Sequence, residues 1–297
     1  MFAIIGATGH IGFRIAQNLL RAGKPVRVIG RSEARLAPLV TEGAEPFVIT
    51  SVLEIDDVTR AFEGAEAAYT MVPPISTEVS YYQAGRVMAE AAARSGVGRI
   101  VNLSGIGAHL PQAGGPHCQD YADLEAAFEE INGLDVLNIR AAFFMTSFFN
   151  WIPQIESDGA VSGLLRGDLA IPRIAARDIA EFAAKELHDP TFTGKTRREL
   201  LGQRDLSMDE AAAVIGEAIG CQSLRYVELS PQESINAQIA KGRSKVSAEH
   251  MNAMYHAWNT GAVTCGETRS SSNTTSTSFE AFVSEEFLPM FRRTGRS

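Results

Sequence analysis

Short apolar runs alternate along the first half of the chain with segments whose apolar residues recur at helical spacing. The run at 2–5 is followed by a glycine-rich turn and then by Ile11, Ile15 and Leu19, which fall on one face of a helix. The same alternation continues as far as the run at 135–139. Strands that alternate with helices of this kind predict right-handed crossovers and a parallel sheet covered on both faces. We therefore expect a doubly wound α/β fold of the Rossmann type.

The pattern places each element of this expected domain. Strands are predicted at 2–5, 26–29, 46–49, 67–72, 99–103 and 135–139, and the helices after the first at 33–41, 54–62, 77–95 and 118–131. Beyond residue 142 the alternation becomes irregular, with helices predicted at 176–187, 208–219, 232–241, 248–258 and 279–291, and a strand at 198–201. The expected domains are a Rossmann domain at 1–142 and a smaller C-terminal substrate-binding cap at 143–297. A Ser/Thr/Asn-rich stretch at about 267–278 predicts a mobile loop.

Composition narrows the class of protein. Of 297 residues, 45% are hydrophobic and 21% are charged, which is typical of soluble globular chains. The net charge of −8 gives no general attraction to a phosphate backbone or an anionic membrane. No apolar run approaches the roughly 20 residues that a spanning helix needs. We therefore expect contact with neither nucleic acid nor membrane. We also expect a cytoplasmic monomer or homodimer that takes a small-molecule substrate.

The residues that commonly bind metals are scattered. Cys118, Cys221 and Cys265 lie far apart, which favours reduced thiols over a disulfide framework. The six histidines show no i, i+4 pairing. No metal site is predicted.

The strongest chemical signal is the glycine-rich turn after the first strand. A pyrophosphate needs backbone N–H donors at a helix N-terminus and a chain without Cβ atoms where the two nearly touch. Here Gly6 would make the tight turn, Gly9 the close approach, and Gly12 the contact between helix and strand. The predicted dinucleotide-binding turn comprises Gly6, Thr8, Gly9, His10, Ile11 and Gly12.

The end of the second strand indicates which dinucleotide binds. A site for NAD usually carries an acidic residue here for the ribose 2′-hydroxyl. This chain instead has Arg31, Ser32 and Arg35, which suit a 2′-phosphate, and NADP(H) is therefore the predicted cofactor. In the alternative, the two arginines are ordinary surface residues and Glu33 takes the acidic role.

Several motifs together carry a resemblance to a known family. Besides the G-x-x-G-x-x-G turn, they are Tyr69–Pro74, Arg99–Ser104, Ile139–Arg140 with Phe143–Met145, Pro172–Ala175 with Arg177–Ala180, and Met254–Tyr255 near Asn259–Gly261. With these the chain resembles an atypical short-chain dehydrogenase/reductase of the NmrA-like, NAD(P)H-binding family. The resemblance implies a Rossmann fold with a small C-terminal substrate-binding part, and cofactor contacts from Val72, Pro73, Ala142 and Phe143. The family includes quinone and phenylpropanoid-type reductases and also redox-sensing regulators without turnover.

The helix expected to hold the catalytic pair departs from the superfamily pattern. There a Tyr exchanges the substrate proton and a Lys four residues later lowers its pKa and holds the nicotinamide ribose; many atypical members have His in place of Tyr. One register aligns His117 with that His and puts Tyr121 at the Lys position, and the other makes Tyr121 catalytic and puts Glu125 there. Neither gives an intact pair. Ser104, at the end of the fifth strand, is a third candidate and would also lie beside the nicotinamide.

Aromatic residues recur near the expected substrate site. They are Tyr81 and Tyr82 on the fourth helix, Phe143 and Phe144 after the sixth strand, and Tyr255 and Trp258 in the cap. A flat apolar substrate would suit such a surface, although core packing is the plainer explanation for each ring taken singly.

These features together favour an NADPH-dependent oxidoreductase that reduces a small aromatic or quinone-like acceptor. Reduction needs mainly stacking over the nicotinamide and one hydrogen-bond donor, which His117 or Tyr121 could supply. The absent Lys keeps two alternatives open: a non-catalytic NADP(H)-sensing regulator, and a family member that performs a non-redox step such as isomerisation.

Overall fold

A computed structural model describes residues 1–72 and 81–294 of the chain. These residues form two compact units. The first unit comprises Met1–Ala108, Asp120–Ala141 and Ala176–Glu199. The second unit comprises His109–Gln119, Ala142–Ala175 and the residues from Leu200 onward.

Strands and helices alternate through the first 141 residues. In chain order they are β1 (Phe2–Ile5), α1 (His10–Arg21), β2 (Val26–Gly30), α2 (Glu33–Thr41), β3 (Glu45–Val48), α3 (Ile55–Phe62), β4 (Ala67–Thr70), α4 (Tyr81–Ser95), β5 (Arg99–Gly105), α5 (Gly115–Glu129) and β6 (Asp135–Ala141). The alternation and the helix spacing predicted from the apolar pattern are confirmed, with bounds that differ by a few residues. The predicted start of the fourth helix, 77–80, lies outside the described residues.

The rest of the chain contains shorter strands. It continues with β7 (Phe143–Phe144), a 3₁₀ turn (Met145–Trp151), α6 (Ile152–Asp158), β8 (Val161–Gly163), β9 (Ile171–Ile174), α7 (Ala176–His188), β10 (Lys195–Leu200), β11 (Asp205–Leu206), α8 (Met208–Ile219), β12 (Tyr226–Glu228), α9 (Pro231–Ala240), α10 (Lys245–Asn259), α11 (Phe279–Phe282), a π-helical turn (Val283–Phe287) and α12 (Leu288–Thr294).

The first unit is built on a sheet that has seven strands within the described residues, in the order β10-β6-β5-β4-β1-β2-β3. The pairs from β6 to β3 are parallel, as the crossover argument requires. The central strands are apolar on both faces because helices cover both, with α1 against α7 and α3 against α4. Pro46 lies in β3, the edge strand, where its missing N–H leaves no ladder bond unmade. This is the predicted Rossmann-type doubly wound fold.

A polar ladder crosses the middle of this apolar sheet. Thr70, Asn102 and Asn138 stand side by side in the register of β4, β5 and β6. The hydroxyl of Thr70 donates to Oδ1 of Asn102 at 3.0 Å, and Nδ2 of Asn102 donates to Oδ1 of Asn138 at 2.8 Å. All three side chains are buried, and each satisfies the polar groups of its neighbour.

The second unit contains two small sheets. One has the order β11-β9-β7, and the other pairs β12 with β8. Two of its helices begin with a reciprocal cap: Ser207 with Glu210 at α8, and Ser230 with Glu233 at α9. Each cap satisfies two N–H groups that a helix start leaves open.

The unit boundaries differ from the predicted division at residue 142. Residues 176–199 belong to the first unit, because α7 packs on α1 and β10 lies beside β6 at the sheet edge. Residues 109–119 belong to the second unit. Sequence spacing could not show that the chain returns to its first sheet after leaving it.

The stretch predicted to be a mobile loop forms several hydrogen bonds. Asn273 is buried; its backbone carbonyl accepts from the N–H of Leu201 at 2.9 Å, and its Oδ1 accepts from the N–H of Ser270 at 2.8 Å. Arg269 also forms an ion pair with Asp205. Its Ser, Thr and Asn side chains bond to nearby backbone and so favour irregular structure over a helix or strand. The mobility of this stretch stays a prediction.

Candidate functional site

The glycine-rich turn joins the carboxyl end of β1 to the N-terminus of α1. Gly6 has a φ of +72°, in the left-handed region that favours glycine, and its carbonyl accepts from the N–H of Gly9 at 2.9 Å. A Cβ at residue 12 would be only 2.4 Å from the Gly6 carbonyl oxygen. The turn therefore folds back so closely that two of its three glycines are sterically required.

The N-terminus of α1 is open to solvent. Gly9 and His10 are exposed, whereas Ile11 is buried in the core. No side chain caps the helix at Gly9, and its first turn carries no acidic residue. The first backbone N–H groups are thus available to an anion, and the helix dipole favours negative charge there. The turn fits a pyrophosphate on this geometry.

The predicted phosphate-selecting residues follow β2 directly. Arg31 and Arg35 are exposed, and in the described chain neither forms an ion pair with a carboxylate. Nη2 of Arg35 is 3.4 Å from the carbonyl oxygen of Thr8, so Arg35 reaches the glycine-rich turn. Ser32 precedes α2 without capping it, and Glu33 is already the first helical residue. The geometry thus favours the arginines over Glu33 for contact with a 2′-substituent.

Glu125 is the centre of a buried charge cluster in the first unit. The guanidinium of Arg140 donates to both of its oxygens, at 2.9 and 2.7 Å, and Nε of Arg197 donates to Oε2 at 3.1 Å. The hydroxyl of Ser104 donates to Oε1 at 2.6 Å. Glu125 and Ser104 are only 3% and 1% exposed. The carboxylate, which stands at the Lys position in one of the two registers, is therefore fully engaged, and the proton of Ser104 is committed to it.

Tyr121 lies against the end of β5. A Cβ at residue 105 would meet its ring, and the ring of Tyr81 packs edge-on against it with centroids 5.7 Å apart. Burial, followed by the negative charge of Asp120, raises the pKa of Tyr81 above its usual value. The absence of a serine after Ser104 thus leaves room for an aromatic ring, and two of the predicted site tyrosines are in contact.

His117 lies in the first turn of α5, in the part of that helix assigned to the second unit. Burial of the ring, followed by the positive charge of His250, lowers the pKa of His117 to about 4. The imidazole is therefore neutral at neutral pH and can donate a hydrogen bond, but it is not a cationic acid.

Three predicted aromatic residues meet in the second unit. The ring of Phe143 stacks on Tyr255 at 6.4 Å and meets Trp258 edge-on at 5.3 Å. Phe144, the next residue of the same strand, points to the opposite face because strand side chains alternate. The guanidinium of Arg173 covers the Phe143 ring at 5.1 Å, and no role was predicted for Arg173.

The remaining predicted residues have simpler environments. The hydroxyl of Tyr82 donates to Glu130, near the end of α5, at 3.2 Å. Val72 and Ala142 are buried, and the N–H of Ala142 donates to the carbonyl of Leu200 at 2.9 Å. Pro73 lies outside the described residues. The roles predicted for Tyr82, Val72, Pro73 and Ala142 stay predictions.

The sequence did not reveal the surroundings of two charged residues, Glu125 and Arg173. Glu125 was noted for its sign, but Arg140 and Arg197 lie 15 and 72 residues away from it along the chain. Arg173 left a clearer trace, because it is a lone charge in the otherwise apolar stretch 169–176. A cation inside an apolar strand pattern is a usable signal of a buried polar function.

The described ranges, 1–72 and 81–294, contain neither a metal-binding cluster nor a membrane-spanning helix. No group of three or more His, Cys, Asp and Glu side chains is arranged to hold a metal ion there. No helix in those ranges combines the length and the apolar character needed to cross a bilayer.

Comparison with known proteins yields relatives along nearly the whole chain. A protein of Bacillus subtilis (strain 168), the "Uncharacterized oxidoreductase YesF", is 30% identical over 261 residues, which are 87% of this chain and 85% of that protein. The NADPH-dependent quinone oxidoreductase QOR2 of Escherichia coli, complexed with NADPH, has a TM-score of 0.81 at 21% identity, covering 97% of this chain and all of that one. NmrA, a negative transcriptional regulator in complex with NADP, has a TM-score of 0.77 at 16% identity, covering 99% and 97%.

A family model also matches most of the chain. The model of the NmrA-like family matches residues 1–283, which span both units. The chain belongs to the NmrA-like family.

Proposed function

We propose that the protein is an NADP(H)-dependent oxidoreductase that reduces a small aromatic or quinone-like acceptor. The observation that carries the proposal is the open N-terminus of α1 at the glycine-rich turn, with Arg35 reaching Thr8 of that turn. The names of two similar proteins support it: one is called an oxidoreductase, and the other is an NADPH-dependent quinone oxidoreductase.

The geometry of the turn supports an assignment of the residues that would hold the cofactor. The N–H groups at the start of α1 would bind the pyrophosphate. Arg31, Ser32 and Arg35 would bind the 2′-phosphate, since charge-assisted bonds from guanidinium groups to phosphate are strong. The bound cofactor would supply a hydride. Val72, Pro73, Ala142 and Phe143 are proposed as further contacts.

The protein's own donors would complete the reduction. Tyr121 carries a hydroxyl and His117 a neutral imidazole, and either group can give a hydrogen bond to an acceptor oxygen. Ser104 is the weaker candidate because its proton already serves Glu125. Tyr81, Tyr82, Phe144, Tyr255 and Trp258 are proposed to bind the flat apolar body of the acceptor.

The second candidate function is that of an NADP(H)-sensing regulator. The Glu125 cluster supports it, because in one of the two registers a buried carboxylate paired with Arg140 stands at the position of the catalytic Lys. A structurally similar protein is a negative transcriptional regulator in complex with NADP. In either case we propose a cytoplasmic monomer or homodimer without direct contact to nucleic acid or membrane, as the net charge of −8 supports.

Consumption of NADPH by the purified protein tests the proposal. Quinones, enals and ketones are offered as acceptors, and binding of NADPH is measured separately by calorimetry. Gly9→Val is the control, because its side chain would fill the space where phosphate meets backbone. We expect turnover with at least one acceptor class in the wild type and none in this variant. NADPH binding at micromolar affinity without turnover on any acceptor would reject the enzyme and favour the sensor.

A further inference from the structure

The second unit contains a cavity of about 610 Å³. Its wall includes the aromatic side chains of Phe148, Trp151, Tyr226 and Tyr255, together with Arg173. Trp151 stacks on Tyr226 with ring centroids 5.9 Å apart, and the hydroxyl of Tyr226 donates to the carbonyl of Leu165 at 2.8 Å. The wall is thus an aromatic surface with the buried guanidinium of Arg173 built into it, and the volume of the cavity suits one small molecule.

The guanidinium of Arg173 lacks an anionic partner in the described chain. The residue is 3% exposed, Nη2 contacts the sulfur of Met208 at 3.0 Å, and Nε is buried with no hydrogen-bond acceptor. Among the described residues, the ring faces of Phe143 and Phe148 lie against its charge, at 5.1 and 5.2 Å. A ring face attracts the cation but accepts none of its in-plane N–H bonds.

Arg173 remains charged despite its burial. Burial lowers its pKa to about 10, although the electrostatic effects of Tyr255 and Tyr226 act to raise it. The residue therefore carries a proton at neutral pH. A buried cation is retained in proteins when it is paired, and here nothing within the described chain pairs it.

The charge around the cavity has one sign. Lys241 and Arg243 also line it, and among the described lining residues there is no Asp or Glu. An anion entering this cavity would meet three cations, one of them desolvated and held in place by rings. A neutral molecule could accept a hydrogen bond from Nε of Arg173, but it would leave the buried positive charge without a counter-charge.

We propose that the cavity of the second unit binds a small planar aromatic anion, whose carboxylate or chemically similar group pairs with Arg173 while its ring lies on the aromatic wall. This rests on the proposed function only in taking the ligand to be the acceptor, now with a negative charge; of the aromatic residues proposed above for the acceptor, Tyr255 lines this cavity. The binding step itself needs no turnover. A carboxylate suits the site because a guanidinium offers it two parallel N–H bonds.

Calorimetry with a matched pair of probes tests the binding. The probes are 2-naphthoate and its neutral amide, 2-naphthamide, each measured with and without saturating NADP⁺. We expect the wild type to bind the carboxylate at least tenfold more tightly than the amide. Arg173→Met should bring the carboxylate to the affinity of the amide and leave the amide within about threefold of its wild-type value. Equal affinities in the wild type, or a preference that survives Arg173→Met, would overturn the proposal.

Two further variants separate charge from position. Arg173→Lys keeps the charge and should retain part of the preference for the carboxylate. Lys241→Gln removes a cation from the same cavity and should change the preference by less than about threefold; a larger loss than in Arg173→Met would overturn the assignment to Arg173. Should Arg173→Met fail to fold, the wild type decides: 2-naphthoate must raise its Tm and 2-naphthamide must not, and equal shifts would reject the proposal.

Turnover distinguishes this proposal from the proposed function. The kcat/KM of wild type and Arg173→Met is compared for 1,4-naphthoquinone and 1,4-naphthoquinone-2-sulfonate, so that each acceptor is its own reference for reactivity. We expect Arg173→Met to lower kcat/KM at least tenfold for the sulfonate and to leave kcat/KM for 1,4-naphthoquinone nearly unchanged. Preferential binding of 2-naphthoate without any turnover would uphold the anion site and reject the reductase. Turnover with the same kcat/KM on the sulfonate in wild type and Arg173→Met would uphold the reductase and reject the anion site.

Discussion

The ring of Tyr121 lies where a side chain on Gly105 would have to be. A Cβ built at residue 105 would be 2.2 Å from Cε2 of the tyrosine, far inside van der Waals contact. Gly105 ends β5, and Tyr121 lies on the helix that follows that strand in the chain. The Tyr121 ring therefore fills the space that the missing side chain of Gly105 leaves. The glycine thus determines where the candidate proton donor lies.

We expect Gly105→Ala to destabilise the protein by about 1–3 kcal/mol, the usual range for overpacking a filled core position. Denaturant unfolding measures the change. Gly98→Ala is the matched control, because its Cβ would meet nothing within 4 Å. Combining Gly105→Ala with Tyr121→Ala should recover part of the loss caused by the clash. Additive effects of the two substitutions would contradict the contact.

Removing the charge of Glu125 should cost more stability than removing that of Glu129. Glu125→Gln leaves Arg140, whose side chain is only 13% exposed, without its carboxylate, and breaking such a pair costs about 3 kcal/mol. Glu129 also pairs with Arg197, but both side chains are more than a third exposed. Glu129→Gln should therefore change the free energy of unfolding by less than about 1 kcal/mol. Chemical denaturation of both variants checks the difference, and equal losses would mean that Glu125 is not the centre of the cluster.

Cofactor choice should depend on the arginines after β2. We expect NADPH to bind at least about tenfold more tightly than NADH, a difference of about 1.4 kcal/mol. Arg31→Ala and Arg35→Ala should each weaken NADPH binding and leave NADH nearly unchanged, because NADH has no 2′-phosphate. Arg60→Ala, an exposed arginine on α3, serves as the control in calorimetric titrations. A preference for NADPH that survives both substitutions would place the selecting group elsewhere.

If His117 or Tyr121 donates the proton, its loss should slow turnover and spare cofactor binding. His117→Ala or Tyr121→Phe is then expected to lower kcat by about 10² to 10⁴, with NADPH affinity within a few-fold, since a proton donor acts in the transition state. Steady-state kinetics and calorimetry on the same preparations separate the two quantities. Wild-type kcat in both variants would exclude both residues as donors.

His117 should make the fold less stable in mild acid. The unfolded chain protonates this residue near pH 6.5, but the folded protein does so only near pH 4. Between these values the unfolded state binds more protons, so stability falls with decreasing pH, by roughly 1–3 kcal/mol for a partly buried ring. His117→Gln should flatten the dependence of Tm on pH in this window, whereas His188→Gln, an exposed histidine on α7, should not. An unchanged slope in His117→Gln would show that the ring is freely protonated.

The elements of the first unit were predictable because their signals are local. The apolar run at Phe2–Ile5, the glycine spacing of the turn and the helical spacing of Ile11, Ile15 and Leu19 each depend on neighbouring residues. The cationic end of β2 was predictable for the same reason. Glu33 was expected to belong to the helix, and it is the first residue of α2.

Other features depend on contacts between residues that lie far apart in the sequence. No local spacing could predict these contacts. The pairing of Glu125 with Arg197 and the packing of α7 on α1 depend on where the chain returns to its first sheet. The anchoring of the 267–278 stretch depends on a hydrogen bond from Leu201 to Asn273. Composition reports which groups can bond, but only the folded backbone brings them within reach.

The sequence by itself determined the doubly wound fold, the glycine-rich turn and the arginines beside it, because periodicity and turn chemistry act over a few residues. The tertiary structure decided what the sequence had left open. It buried the carboxylate of Glu125 against Arg140 and Arg197, and it enclosed Arg173 among aromatic rings beside a cavity. Long-range packing sets burial and charge pairing, and these in turn decide which of the candidate groups can do chemistry.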